Sequence, residues 1–287
     1  MKVLVTGASG LVGGKICDYL IKEGIKVIAI SNNKPLEINH PLLKHQCIDL
    51  LSESNALKIE KCDVIIHCAA KIPLTDNAEI NFQSAKANRI IDDAIIDLAI
   101  NWSSKFIYFS TAYLYDEGLK GYLTEKSEIN KNLRDYYFEK YASEQKIIQL
   151  KLNCCIFRIS SPYGNKIKQN NAMRLFFDKS IKNEAIVLFG NGERKQNFIH
   201  ITDIAKACMI AINNNITGTY HLTGNNYTTM KELANEIISS TKSGSNIIYD
   251  TSKGEKELNV CFKNDLLYNF FNWKPEISLK EGIKLML

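Results

Sequence analysis

The sequence predicts an α/β fold, a doubly wound parallel sheet joined to a smaller mixed α/β lobe. Three observations predict it. Strand-like and helix-like runs alternate from residue 2 onward. The strand-like runs, Asp63–His67 and Lys105–Ser110 among them, are continuously apolar and β-branched, as strands covered on both faces must be. The first strand also leads directly into three glycines, Gly7, Gly10 and Gly13, ahead of an amphipathic helix. A turn without Cβ atoms lets a pyrophosphate approach the main chain, and the N–H groups opening the helix favour its charge.

Taken in order, Lys2–Thr6 reads as strand, Leu11–Glu23 as helix, and Lys26–Ile30 and Gln46–Leu50 as the second and third strands. Val64–His67, Lys105–Ser110 and Cys154–Ile159 follow as strands, separated by helices over Asn81–Asn101 and Arg134–Leu152. After Ser160 the texture changes to Pro162-Tyr-Gly164, a polar stretch from Lys166 to Asn171, a helix over Ala172–Ile181 and the turn Gly190-Asn-Gly192. Helices at Thr202–Asn213 and Thr229–Thr241, with short strands near Tyr220–Leu222 and Asn246–Tyr249, complete a small mixed lobe. The expected division is residues 1–160 for a Rossmann-like dinucleotide-binding domain, with 196–213 returning to it, and 161–195 with 214–287 for a substrate-binding lobe. The cleft between them is expected at the carboxyl ends of the parallel strands.

Composition narrows the function classes. At 287 residues and 45% hydrophobic content the chain can bury a large core, which excludes a fully disordered protein. No apolar run approaches the ~20 residues that a bilayer span needs. With the first strand beginning at Lys2 there is no room for a signal peptide, so the expected location is cytoplasmic. The net charge of +5 is scattered, not gathered into a stripe, which argues against a nucleic-acid partner. Eight cysteines without a Cys-x-x-Cys pair read as structural thiols, and no Cys/His spacing suggests a metal site. His67, His200 and His221 read as satisfied structural histidines.

Two constellations carry chemistry. The glycine turn, with Leu11 and Val12 opening the helix behind it, is the candidate pyrophosphate cradle. An acidic residue is expected at the end of the second strand to hold the ribose hydroxyls. That end reads Ser31-Asn32-Asn33-Lys34, so a 2′-phosphate is not repelled, and the cofactor is NAD or NADP. Ser31, Asn32 or Lys34 could meet that phosphate, and Lys34 could equally be a solvated loop lysine. Asp49, with Leu50 beside it after the third strand, could accept from an adenine amino group or cap a helix. The second constellation is Tyr136 and Lys140, four apart on one helix face, where an ammonium can lower a phenol's pKa and make an acid/base for a hydroxyl or carbonyl. Ser110 and Thr111 end the preceding parallel strand and could bond the same substrate oxygen.

Together these motifs resemble the extended short-chain dehydrogenase/reductase family, in its nucleotide-sugar epimerase/dehydratase branch, over essentially the whole chain. Thr6-Gly7-x-x-Gly10-x-x-Gly13 resembles its cofactor motif, and His67-Cys-Ala-Ala70 resembles its post-strand cofactor segment, which implies cofactor contacts from Cys68, Ala69 and Ala70. Phe109–Tyr115 resembles its active-site strand, and Tyr136-x-x-x-Lys140 with Glu144 its catalytic helix. Arg158–Gly164, Gly190–Asp203 and Asn269–Pro275 are similar to its later segments. The resemblance implies Tyr136 as acid/base, Lys140 as the residue that binds nicotinamide ribose and tunes it, and Thr111 as the group positioning the reacting oxygen. It implies a nucleotide-sugar substrate and, through the helices over 81–101 and 134–152, a homodimer. Its 4,6-dehydratases place Asp-Glu after the active-site Thr, where this chain has Ala112-Tyr113, which disfavours dehydration. Ser161 replaces the usual Asn of the Arg-x-x-Asn segment, and Gln196 replaces the Arg that meets nucleotide phosphates, a task that Arg194, Arg174 or Lys195 could take over. The expected activity is a 4-epimerase. The alternatives are an NADPH-dependent 4-ketoreductase and a non-catalytic cofactor-binding protein on the same fold.

Overall fold

The computed structural model describes residues 1–36, 38–72, 77–115, 121–165, 167, 171–254 and 260–287. In chain order its elements are β1 Lys2–Thr6, α1 Leu11–Lys22, β2 Lys26–Ser31, β3 Leu43–Cys47, α2 Glu53–Ala56, β4 Val64–His67, α3 Ala78–Trp102 and β5 Lys105–Thr111. There follow β6 Gly121–Leu123, α4 Asp135–Gln149, β7 Cys154–Ile159, β8 Ser161–Tyr163, α5 Ala172–Ile181, β9 Ile186–Phe189, β10 Lys195–His200 and α6 Ile201–Asn213. The chain ends with β11 Gly218–Leu222, β12 Tyr227–Thr229, α7 Met230–Thr241, β13 Ile247–Asp250, β14 Val260–Phe262, α8 Asp265–Phe271 and α9 Leu279–Lys284. Of the polar stretch Lys166–Asn171, residues 166 and 168–170 lie outside the described residues.

Seven strands form one parallel sheet in the order β11-β7-β5-β4-β1-β2-β3. Strand order reverses between β1 and β4, which opens a crevice beyond their carboxyl ends. Alternation of side chains sends Val3, Val5, Ile107 and Phe157 to one face, under α1 and α6. Leu4, Ile65, Phe106 and Ile156 go to the other, under α3 and α4. Both faces are therefore dry, and the continuous apolar runs of the sequence follow from that.

The smaller lobe has its own core of Tyr163, Met173, Phe176, Leu188, Leu233 and Ile237, roofed by α5, α7 and α9. Its pairings are short: β12-β10-β8, β13-β9 and β14-β6. Two expectations need correcting. The third strand lies at Leu43–Cys47, because Asp49 turns the chain by accepting the Leu51 N–H at 3.1 Å. And β11, expected in the small lobe, pairs with β7 as the edge strand of the large sheet. The reason is that α6 packs beside α1 on one face of the sheet and returns the chain to its edge, where β11 runs parallel to β7.

Candidate active site

Gly7 sits at φ +64°, and a Cβ there would lie 2.7 Å from Ala69 N. The turn thus needs glycine twice over, for its left-handed backbone and for the approach of the loop after β4. Gly13 serves packing: a Cβ on it would come 2.4 Å from the Gly7 oxygen. Gly10 caps α1 in extended conformation with no side-chain hydrogen bond, so the first-turn N–H groups of Leu11, Val12 and Gly13 point out of the helix end. Their side chains do other work, Leu11 packing on the small-lobe core and Val12 on the large one.

A cavity of about 220 Å³ opens at this helix end, lined by Gly7, Gly10, Ser31, Asn32, Asp49, Leu50, Cys68, Ala69 and Ala70, with Lys71 at its rim. It lies along the carboxyl ends of β1 to β4, at the crevice the strand order creates. A dinucleotide fits the donors and the missing Cβ atoms here. Ser31 has its hydroxyl spent, donating to Lys34 O at 2.5 Å and bonded to His45 Nε2 at 2.8 Å. Asn32, Asn33 and Lys34 are all exposed, and of the three Asn32 lines the cavity while Lys34 does not. Asp49 lines the cavity and holds the turn after β3 through the Leu51 N–H, and it does not cap α2, Glu53–Ala56.

The second constellation is carried by α4 and the end of β5. Lys140 is buried, its ammonium 3.1 Å from the Tyr108 hydroxyl and 3.5 Å from Asp92 Oδ2. Tyr136 sits one turn earlier, half-buried against the edge of the Tyr137 ring. Its phenol is pushed up, by burial first and then by the charge of Asp92. This corrects the expected lowering by Lys140, because that ammonium is engaged by Asp92 and Tyr108. Thr111 is buried and accepts the Tyr113 N–H at 3.2 Å. Ser110, 2% exposed, has a hydroxyl with no hydrogen-bond partner among the described residues. A buried orphan hydroxyl at a strand end is an unfilled contact for a ligand.

Ser161 begins β8 and joins a cluster whose further member, Tyr113, the sequence reading did not assign to it. Its hydroxyl accepts from Gln196 at 2.5 Å and is bonded to the Tyr113 hydroxyl at 3.2 Å. The Tyr113 phenol is raised by burial, and Arg194 lies close enough to oppose that shift. The structure thereby gathers Ser161, Arg194, Gln196 and Tyr113 where the two lobes meet. Glu144 serves structure: it forms a buried ion pair with Arg158 at 2.7 Å, and Arg158 also donates to Tyr115 at 2.8 Å.

Also missed was the polar chain beneath the sheet edge. Thr6 Oγ1 is bonded to His67 Nδ1 at 2.7 Å and accepts the Ala69 N–H at 3.2 Å, and His67 Nε2 is 2.9 Å from Asp92 Oδ1. Burial lowers the His67 pKa, so the ring is neutral and its Nε2–H donates a hydrogen bond to Asp92. Asp92 is held down to about 2: burial opposes its ionisation, but the charge of Lys140 and the donated hydrogen bonds outweigh it. The one available signal was an acid on the buried stripe of its helix, which is apolar apart from it and Asn88.

The family model described as NAD dependent epimerase/dehydratase matches residues 3–222. A protein of Methanocaldococcus jannaschii named "Putative UDP-glucose 4-epimerase" is 28% identical, over 98% of this chain and 96% of its own. Among solved structures, the UDP-glucose 4-epimerase of Thermotoga maritima with UDP-glucose has a TM-score of 0.88 at 22% identity, covering 100% of this chain and 97% of that one. The UDP-glucuronic acid 4-epimerase of Bacillus cereus in complex with NAD has a TM-score of 0.82 at 20% identity, covering 99% of this chain and 97% of that one.

Proposed function

Because the chain belongs to the NAD dependent epimerase/dehydratase family, we propose that it is a nucleotide-sugar 4-epimerase acting on a uridine diphosphate hexose. The observation that carries this reading is the placement of Tyr136 and Lys140 on one turn of α4, with Lys140 reaching β5 three residues before Thr111. An acid/base pair beside a strand-end hydroxyl is what removal and return of a sugar hydroxyl proton requires, although Tyr136, Lys140 and Thr111 are not among the residues lining the cavity of about 220 Å³. Ala112 and Tyr113 follow Thr111 where dehydration would require carboxylic acids.

In this mechanism the first-turn N–H groups of α1 hold the pyrophosphate, and Asn32 and Asp49 border the adenosine end. A bound nicotinamide dinucleotide supplies hydride acceptance and return at the sugar carbon. Thr111, with Ser110 beside it, orients the sugar hydroxyl. Tyr136 takes that proton as the carbonyl forms and gives it back on reduction, with Lys140 held one turn away on the same helix. Tyr113, Ser161, Gln196 and Arg194 border the sugar and its diphosphate from the small lobe. A second reading, an NADPH-dependent 4-ketoreductase, is favoured by one observation, the absence of a carboxylate at Ser31–Lys34. The same reading of the family makes the protein a cytoplasmic homodimer through α3 and α4.

Interconversion of UDP-glucose and UDP-galactose by the purified protein tests the proposal. Tyr136→Phe should reduce turnover by about 100-fold or more while dinucleotide binding, followed by fluorescence, is retained. Unchanged turnover in that variant removes Tyr136 from the mechanism. Activity only with a 4-keto sugar and NADPH selects the reductase.

A further inference from the structure

The inward face of α3 is apolar at Ala85, Ile91, Ile95, Ile96 and Ala99, and one acid interrupts it. Asp92 is fully buried. An unpaired carboxylate there would cost several kcal/mol, roughly, so what surrounds it explains why it is there. Donors from three other elements converge on it. His67 of β4 reaches Oδ1 at 2.9 Å, while Tyr108 of β5 and Ser143 of α4 donate to Oδ2 at 2.5 and 2.9 Å. Lys140 of α4 stands 3.5 Å from Oδ2, donates to the Tyr108 oxygen at 3.1 Å and lies 4.5 Å from the centre of that ring.

We propose that Asp92 is a positioning residue for Lys140. Fixed by His67, Tyr108 and Ser143, its carboxylate holds the ammonium on the buried side of α4 and sets the charge that Tyr136 meets one turn earlier. This rests on the assignment of Tyr136 and Lys140 as the acid/base pair. The same carboxylate continues through His67 to Thr6, which accepts the Ala69 N–H at the cofactor cavity. Lys140 is thereby tied to the turn that receives the dinucleotide.

Electrostatics gives the arrangement its consequence. An isolated ammonium one turn away would pull the phenol down, and a paired carboxylate offsets that pull. The phenol of Tyr136 indeed stays up, through burial first and Asp92 second, with Tyr137 as the other titratable neighbour. The remaining charges near Asp92 are matched elsewhere: Glu139 lies 3.5 Å from Arg89 and Asp93 2.7 Å from Lys146 on the α3–α4 seam, and Glu144 pairs with Arg158. Neutral His67 adds no charge.

The test follows the ionisation of residue 136 itself. A polyfluorinated tyrosine, whose phenol is several pH units more acidic than tyrosine's, is incorporated in place of Tyr136 in the full chain, and its ¹⁹F shift against pH gives the midpoint without cofactor or sugar. Asp92→Asn should lower that midpoint by about 1 pH unit or more, and Asp92→Glu should leave it close to the parent value. An unmoved midpoint in Asp92→Asn overturns the proposal, as does an equal fall in Asp92→Glu. Should Asp92→Asn not fold, Asp92→Ser provides the second neutral replacement. If neither folds while Asp92→Glu does, the carboxylate is a determinant of the fold and the positioning role is overturned. The readout is independent of turnover on UDP-glucose, so failure of the epimerase reading leaves this result standing or falling by itself.

Discussion

Gly7 and Gly13 act through atoms they lack, and the three glycines of the turn differ in how much they tolerate. A methyl on Gly7 meets backbone at 2.7 Å and would have to keep φ +64°, while one on Gly13 meets the Gly7 oxygen at 2.4 Å. At Gly10 the nearest atom is the Gly7 oxygen at 3.0 Å. Gly7→Ala and Gly13→Ala should therefore each destabilise by about 2 kcal/mol or more, and Gly10→Ala by well under half of that. Urea unfolding checks the order, and equal losses at all three positions would contradict it. These glycines were legible in the sequence because backbone geometry alone demands them. Asp92 was not, because its partners His67, Tyr108 and Ser143 lie 25, 16 and 51 residues away and only folding brings them together.

At the scale of an element, α4 is held from two sides. Its N-terminal half leans on the Asp92 network, and its middle is joined to β7 by the Glu144–Arg158 ion pair, with side chains 0% and 6% exposed. Glu144→Gln leaves a buried guanidinium without its counter-charge and should cost about 3 kcal/mol in unfolding free energy. Glu144→Gln with Arg158→Met should recover most of it. A double variant as unstable as the single one would show that the pair is not what anchors the helix. The long elements were readable because a period of 3.6 or an unbroken apolar run repeats over enough residues to be distinctive. The short strands β8, β10 and β12 were not, since three to six residues pair only with each other and carry no internal period. That is also why the meeting of Tyr113 with Ser161 and Gln196 was hidden: β8 and β10 bring the last two together beside it.

Across the whole molecule, α3 and α4 leave an apolar face outside both cores. Phe82, Ile90 and Ile100 on α3 and Phe138 and Ile148 on α4 are 41–52% exposed. Light scattering should report twice the chain mass of 32.5 kDa, and Ile90→Asp with Phe138→Asp should return it to one. A wild-type monomer would leave this face without the assigned partner. The late return of the chain to β11 has a different consequence, for the order in which the molecule can be made. Between β7 and β11 the polypeptide leaves the large sheet, starts the small lobe and packs α6 on the first face before the seventh strand exists. A growing chain that has emerged only through residue 213 presents the hydrogen-bonding edge of β7, flanked by Cys155 and Phe157, with nothing to pair it. Synthesis of the last quarter therefore seals the cofactor domain as well as building the lobe beside it.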